Sequence, residues 1–185
     1  MLKWLGGLSV DARSIFLANV AKGFDVAALA ARFTEHIINQ EKTYMNTKPV
    51  LDLDDVEAML IGARREAEEH GWRVSVAIVD DGGHPLGLLR LEGAPPLSAY
   101  MASEKARTAA LGRRESKVYE DMINEGRYAF LSAPLAATLE GAVPVIVNGV
   151  CVGAVGVSGV KSDQDALIAK AGIAHLDKTL AQVIA

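Results

Sequence analysis

The sequence predicts an α+β domain, with helices laid on an antiparallel sheet in two layers. Two hairpin signals and a set of helical-period segments predict it. The first hairpin is a Val- and Ile-rich run over 73–79, a turn at Asp81-Gly82-Gly83-His84, and a return over Leu86–Arg90. The second joins Val143–Val147 to Val150–Ser158 through Asn148-Gly149. That dipeptide suits a type I′ turn, whose two central residues both need positive φ.

Each element has its own local reason. Ser9 or Asp11 can cap a helix carrying Ile15, Phe16, Val20 and Phe24, and Val26, Leu29, Ala30, Phe33 and Ile37 mark a second helix over 25–39. Residues 41–49 are polar and irregular, as a linker would be, and the sequence reads as a domain starting near Met45. Asp52 can cap the next helix, in which Val56, Met59, Leu60, Ala63 and Ala67 make the apolar stripe before Gly71 ends it. After the first hairpin, Glu92–Pro96 is a loop and Ser98–Leu111 a helix of small residues. A short helix is expected over Lys117–Asn124, then an irregular crossing to the second hairpin. Ser162-Asp163-Gln164-Asp165 opens the last helix as a variant capping box, with Ile168, Ala171, Ala174, His175 and Val183 spaced for burial.

Composition separates the two ends of the chain. It has 185 residues, four Phe, four Tyr and two Trp, and a formal net charge of −4. Half of those aromatics (Trp4, Phe16, Phe24, Phe33 and Tyr44) fall in residues 1–44. Six Lys/Arg against four Asp/Glu make residues 1–50 positive, whereas the rest is acidic. Residues 1–44 therefore read as a helical extension, or as a segment extraneous to the fold, and 45–185 as the domain.

Several function classes fall away on this reading. No apolar run reaches the ~18–20 residues of a membrane span. The N-terminus lacks a signal-peptide core, so a cytoplasmic protein is expected. Cys151 is alone, which excludes an internal disulfide and a multi-cysteine zinc site. An acidic chain without a basic tract argues against nucleic acid as a partner.

Four places carry chemistry. Asp80, Asp81 and His84 lie within five residues and offer metal-ligand or acid/base groups; the plain reading is a tight turn with a solvated histidine. On the helix over 98–111, Met101, Lys105 and Thr108 share a face at i, i+4, i+7, beside a seam of Ala102, Ala106 and Ala109. Lys105 and Thr108 there could hold a carboxylate or propionate; alternatively Lys105 pairs with a surface glutamate. The run Gly153-Ala154-Val155-Gly156-Val157-Ser158-Gly159 places glycines inside a strand, which marks close approach by a backbone or a ligand. Cys151, between two valines, reads as a buried small hydrophobe. His36, His70 and His175 are further axial candidates for a haem, and the sequence does not single one out.

Taken in order, five motifs resemble the GlcG/HbpS family, also described through the C-terminal domain of PduO-type proteins. They are Val76–His84, Ser103–Ala109, Val143-Pro144-Val145, Gly153–Gly159 and Asp163-Gln164-Asp165, and the likeness covers about residues 51–180. It implies a five-stranded antiparallel sheet flanked by helices, profilin/PAS-like, and homo-oligomers from dimers to octamers. It implies haem or iron binding in some members and a place in catabolic operons for others. By analogy the site residues are Asp80–His84, Lys105 and Thr108. Two positions depart from the family pattern: Gly141-Ala142 replaces a double glycine, and Val160 replaces a glycine.

The residues and the resemblance support three readings. The first is an oligomeric small-ligand binder, with haem or iron as ligand, held by Lys105, Thr108, Met101 and His84, or with iron at Asp80, Asp81 and His84. The second is an enzyme on a small organic acid, with Lys105 orienting a carboxylate and His84 or Asp80 moving a proton. The third is an accessory protein docking through residues 1–44.

Overall fold

The computed structural model describes residues 47–183, with isolated residues before them, and side chains as far as 176. The helices expected over 9–42 and the start at Met45 lie outside the described residues. The chain divides into two compact units, Met1–Thr47 and Lys48–Ala185. The second unit carries the sheet and its helices.

Its elements are α1 (Leu53–Glu69), β1 (Ser75–Asp80), β2 (Pro85–Arg90), α2 (Pro96–Gly112), α3 (Lys117–Asn124), a 3-10 helix (Tyr128–Ser132), β3 (Ala142–Val147), β4 (Val150–Ser158) and α4 (Ser162–Val183). Asp52 caps α1 with a reciprocal capping box to Asp55. Asn148 and Gly149 have φ of 50° and 78°, as the β3–β4 turn requires. At the start of α2, Pro95 and Pro96 extend the helix two residues beyond its expected beginning.

The strands form one antiparallel sheet in the order β2-β1-β4-β3. Among the described residues it has four strands, not five. The two hairpins supply all of them, and the other described segments lack a β-branched run. The stretch after α3 instead carries Pro134 among alanines and forms the 3-10 helix and bends.

Helices cover both faces, so there are three layers rather than two. Val76 and Ile78 of β1 point into a core with Met59, Ala63 and Ile168 from α1 and α4. Ala77 and Val79 point the other way, against Ala102, Ala106 and Ala109 of α2. This is why the expected β1 strand reads as a continuous apolar run without alternation. In α4 the buried residues are Asp165, Ala166, Ile168, Ala169, Gly172 and Leu176; of those expected inside, Ala171 and His175 are half-buried and Ala174 is exposed.

The α2 layer sits very close to the sheet. A Cβ on Gly156 would collide with the Ala102 carbonyl oxygen and lie 2.6 Å from the Ala106 amide nitrogen. Rigid backbone on both sides leaves nothing to give way. We expect Gly156→Ala to cost about 3 kcal/mol or more, since overpacking alone costs ~1–3 kcal/mol and here backbone must move. Thermal unfolding followed by circular dichroism checks this; an unchanged Tm would show that α2 is free to ride outward.

Candidate functional site

The site grows from the face of α2 that carries Met101, Lys105 and Thr108. Lys105 and Thr108 are buried and Met101 half-buried. The Lys105 ammonium does not reach a surface glutamate. It donates to Asp165 Oδ2 at 2.8 Å and to the Val157 carbonyl at 3.2 Å, and both side chains of the pair are almost fully buried, 5% and 2% exposed. Asp165 also accepts the Val160 N–H through Oδ1. Burial pushes the Asp165 carboxyl above the usual carboxylate range, against the opposing pull of the Lys105 ammonium and the Val160 N–H.

Gly141 closes over this pair. Its φ is 127°, and a Cβ there would lie 2.7 Å from Lys105 Nζ and 2.9 Å from Asp165 Cβ. Three residues further along α2, Thr108 is 1% exposed, and its Oγ1 has no hydrogen-bond partner. A buried hydroxyl left unpaired costs about 1–3 kcal/mol, so its retention calls for a reason beyond packing.

The second cluster is the β1–β2 turn. Asp80 Oδ1 accepts the N–H of Gly82 at 2.9 Å and of His84 at 2.8 Å, and His84 Nδ1 lies 3.2 Å from both carboxylate oxygens. Slight burial would raise the Asp80 pKa, but those two N–H groups and the His84 ring outweigh it and hold the carboxyl below its ordinary value. The His84 side chain is 79% exposed. With Nδ1–H turned to the carboxylate, Nε2 is left as an outward lone pair. Asp81 does not join them; its carboxylate pairs with Lys48. Among the described residues no group of three His, Cys, Asp or Glu side chains converges as a metal site needs. Cys151 is buried, with Sγ directed at the carbonyls of Gly153 and Ala110.

Helical spacing brings Lys105 and Thr108 together but does not reveal Asp165 or Gly141. In the sequence Asp165 reads as part of a cap. A signal is nonetheless present: Asp165 stands three and four residues before Ile168 and Ala169, and so falls on the buried stripe of α4.

A small antiparallel sheet with α1 and α4 on one face and α2 on the other, joined by an internal Lys–Asp pair, defines a three-layer α+β domain. Likeness to known proteins gives the particular family. The family model for "Haem degrading protein HbpS-like" matches residues 51–174, and the chain belongs to that family. It is similar to Protein GlcG of Escherichia coli K12, 53% identical over 114 residues that span 62% of this chain and 85% of GlcG. Among solved structures, a double mutant of HbpS from Streptomyces reticuli superimposes with a TM-score of 0.65 and 32% identity, covering 70% of this chain and 89% of that one. The PduOC:heme complex superimposes with a TM-score of 0.63 and 26% identity, covering 69% and 95%.

The Lys105–Asp165 pair makes a testable prediction with a definite sign. Removing one partner of a buried pair costs about 3–5 kcal/mol at neutral pH. In Lys105→Met, Asp165 loses the ammonium that lowered its pKa, so its folded-state pKa rises further above the unfolded value. A carboxyl with a raised folded pKa favours the fold below the unfolded pKa and loses that contribution as pH rises through the folded one. Lys105→Met should therefore recover relative to wild type as pH falls from 7 toward 4. Asp165→Asn, which strands the ammonium, should not. Urea unfolding of both variants across that range decides it, and parallel pH profiles would refute the pairing.

Proposed function

We propose that this protein binds haem, or a small ligand of similar reach, at the Thr108 face of α2. The observation that carries the reading is the buried, unpartnered Thr108 Oγ1. The family description and the heme complex of PduOC support the choice of ligand. At Thr108 the hydroxyl is uncommitted, and half-buried Met101, a soft apolar side chain, lies two turns earlier on the same face of α2. His84, oriented by Asp80, offers Nε2 to an iron presented from outside the turn. Lys105 does not suit a propionate, because Asp165 already neutralises it; its part is to fix α2. A bound haem would supply an iron centre able to take axial ligands and to carry electron-transfer or oxygen chemistry.

Hemin titration tests this. Wild-type protein should shift the Soret band, and Thr108→Val should weaken binding about tenfold or more, the ~1.4 kcal/mol of one lost hydrogen bond. The same substitution should leave Tm unchanged or higher, since it removes an unpaired buried hydroxyl. His84→Ala should alter the Soret position. A wild type without a Soret shift ends the haem reading.

Self-association belongs to the same proposal. Leu86 and Leu88 on edge strand β2, and Leu97 and Tyr100 on α2, are large apolar side chains left exposed. Together they favour a homo-oligomer. Light scattering should find a dimer or larger, and Leu88→Glu should shift it toward monomer; a wild-type monomer at micromolar concentration counts against it.

A second reading draws on the Asp80–His84 pair, whose geometry is that of an oriented base. In it the protein moves a proton on a small organic acid.

A further inference from the structure

The sheet has two outer strands, and they are guarded differently. On β3, Pro144 removes a backbone donor and the register shifts between Val145 and Ile146; both discourage a further strand from adding. On β2 the proline is Pro85, its first residue, and the register shift lies at the turn end. From Gly87 to Leu89 the strand is regular and uncharged. The Leu91 N–H donates to the Val74 carbonyl, so by alternation Gly87 and Leu89 also turn their backbone groups toward β1. Leu88 and Arg90 then present N–H and C=O groups outward, and among the described residues no strand pairs with them.

Apolar side chains flank this edge on both faces of the sheet. Leu88 pairs with Ala77 and so stands on the α2 side, which is left bare there because α2 lies chiefly over β4, β1 and β3. Its side chain is 54% exposed. Leu89 pairs with Val76 and stands on the other side, beside α1. There α1 sits low on the strand: a Cβ on Gly87 would lie 2.7 Å from Val56 Cγ1 and 3.3 Å from Leu60 Cδ1. Leu60, Ile61 and Leu89 line a shallow groove with Glu57 and Arg64. Ile61 is 50% exposed. Glu57 and Arg64, both exposed, are two helical turns apart on one face of α1, with Leu60 and Ile61 between them. The bond of Arg64 to Glu68 is an exposed i,i+4 pair, which is worth little and is readily exchanged.

We propose that a second copy of this chain docks on the β2 edge, the two strands pairing antiparallel about a two-fold axis beside Leu88 to make one sheet of eight strands. The proposal rests on the self-association reading above and names the surface that association uses. A two-fold axis makes every contact twice, so the surface must complement itself. It does so in charge. Gly87 lies against Val56 and Leu60, and Leu89 shares the groove with Ile61 and Arg64, so α1 runs in the same direction as β2. Antiparallel strands therefore bring the two α1 helices antiparallel as well, and Glu57 of each copy faces Arg64 of the other. Leu88 is buried on one face of the joined sheet, and Ile61 and Leu89 on the other. A slipped register separates the charges, so Glu57 and Arg64 select one pairing.

Thiol crosslinking of the full chain, with light scattering and sedimentation, tests the surface. Cys151 is buried, so an introduced surface cysteine is the reactive one. Leu88→Cys treated with a short bis-maleimide should run as a covalent dimer. Ile146→Cys, similarly exposed but on the β3 edge, should not. Glu57→Arg and Arg64→Glu should each weaken the dimer about tenfold, because the two-fold axis counts each reversal twice. The double exchange, Glu57→Arg with Arg64→Glu, should restore wild-type affinity. A covalent dimer from Ile146→Cys and none from Leu88→Cys overturns the β2 surface while self-association stands. So does a double exchange that associates no more tightly than either single reversal. A wild type that stays monomeric at micromolar concentration ends the self-association reading, and this surface with it.

Discussion

One buried positive charge organises this domain. Lys105 lies on α2, over one face of the sheet, and Asp165 lies in the first turn of α4, which covers the other. Their bond passes the end of β4, where the Val157 carbonyl accepts a second hydrogen bond from the same ammonium. The pair therefore joins all three layers at one point. Desolvating two charges is expensive, and a buried pair seldom adds much net stability over an apolar substitute. What it does add is geometric demand: α2, β4 and α4 must each be in register for the ammonium to be matched. The acceptors are all used, since the remaining Asp165 oxygen takes the Val160 N–H and fixes the entry to α4.

The demand propagates through the small residues. An ammonium on α2 reaches a carboxylate at the sheet's far end only if α2 lies low, and Gly156 with the Ala102–Ala106 seam makes that possible. Gly141 has to pass over the pair without a side chain for the same reason. The scarcity of aromatics between residues 51 and 185 is the compositional trace of this close packing. Large rings are admitted where the body is not so tightly closed, as with Tyr119 and Phe130 in the segment after α2.

Local features of the fold are legible in the sequence and long-range ones are not. Asn148-Gly149 predicts its turn because positive φ at both positions is a property of two adjacent residues. The Ala102, Ala106, Ala109 seam is a periodicity, and it is buried as that periodicity implies. The expected count of five strands comes from resemblance and is one too many, while the residues themselves offer two hairpins. The two-layer expectation fails because an apolar run in β1 does not announce that its opposite faces meet different helices. The partner of Lys105 is 60 residues away, and no spacing rule joins α2 to α4. Of the site, then, the α2 face and the Asp80–His84 turn are visible in the sequence, and the Asp165 and Gly141 that enclose Lys105 are not.

The proposed binding site rests on the contrast between Lys105 and Thr108. Every other buried polar side chain among the described residues is satisfied: Ser75 with Ser98, Ser116 with Ala142, and Lys105 with Asp165. A domain that pairs even its buried charge has the means to satisfy a hydroxyl. A valine would fill the space of Thr108 without an unpaired group. With total stabilities near 5–15 kcal/mol, an unpaired hydroxyl costing about 1–3 kcal/mol is not a trivial burden. A hydroxyl that is paired only when a ligand arrives turns that cost into binding free energy, since the group's missing partner is supplied at the moment of association. Charge therefore anchors one end of the stripe permanently, and in the proposed function the polar atom left unpaired at the other end takes its partner from a ligand.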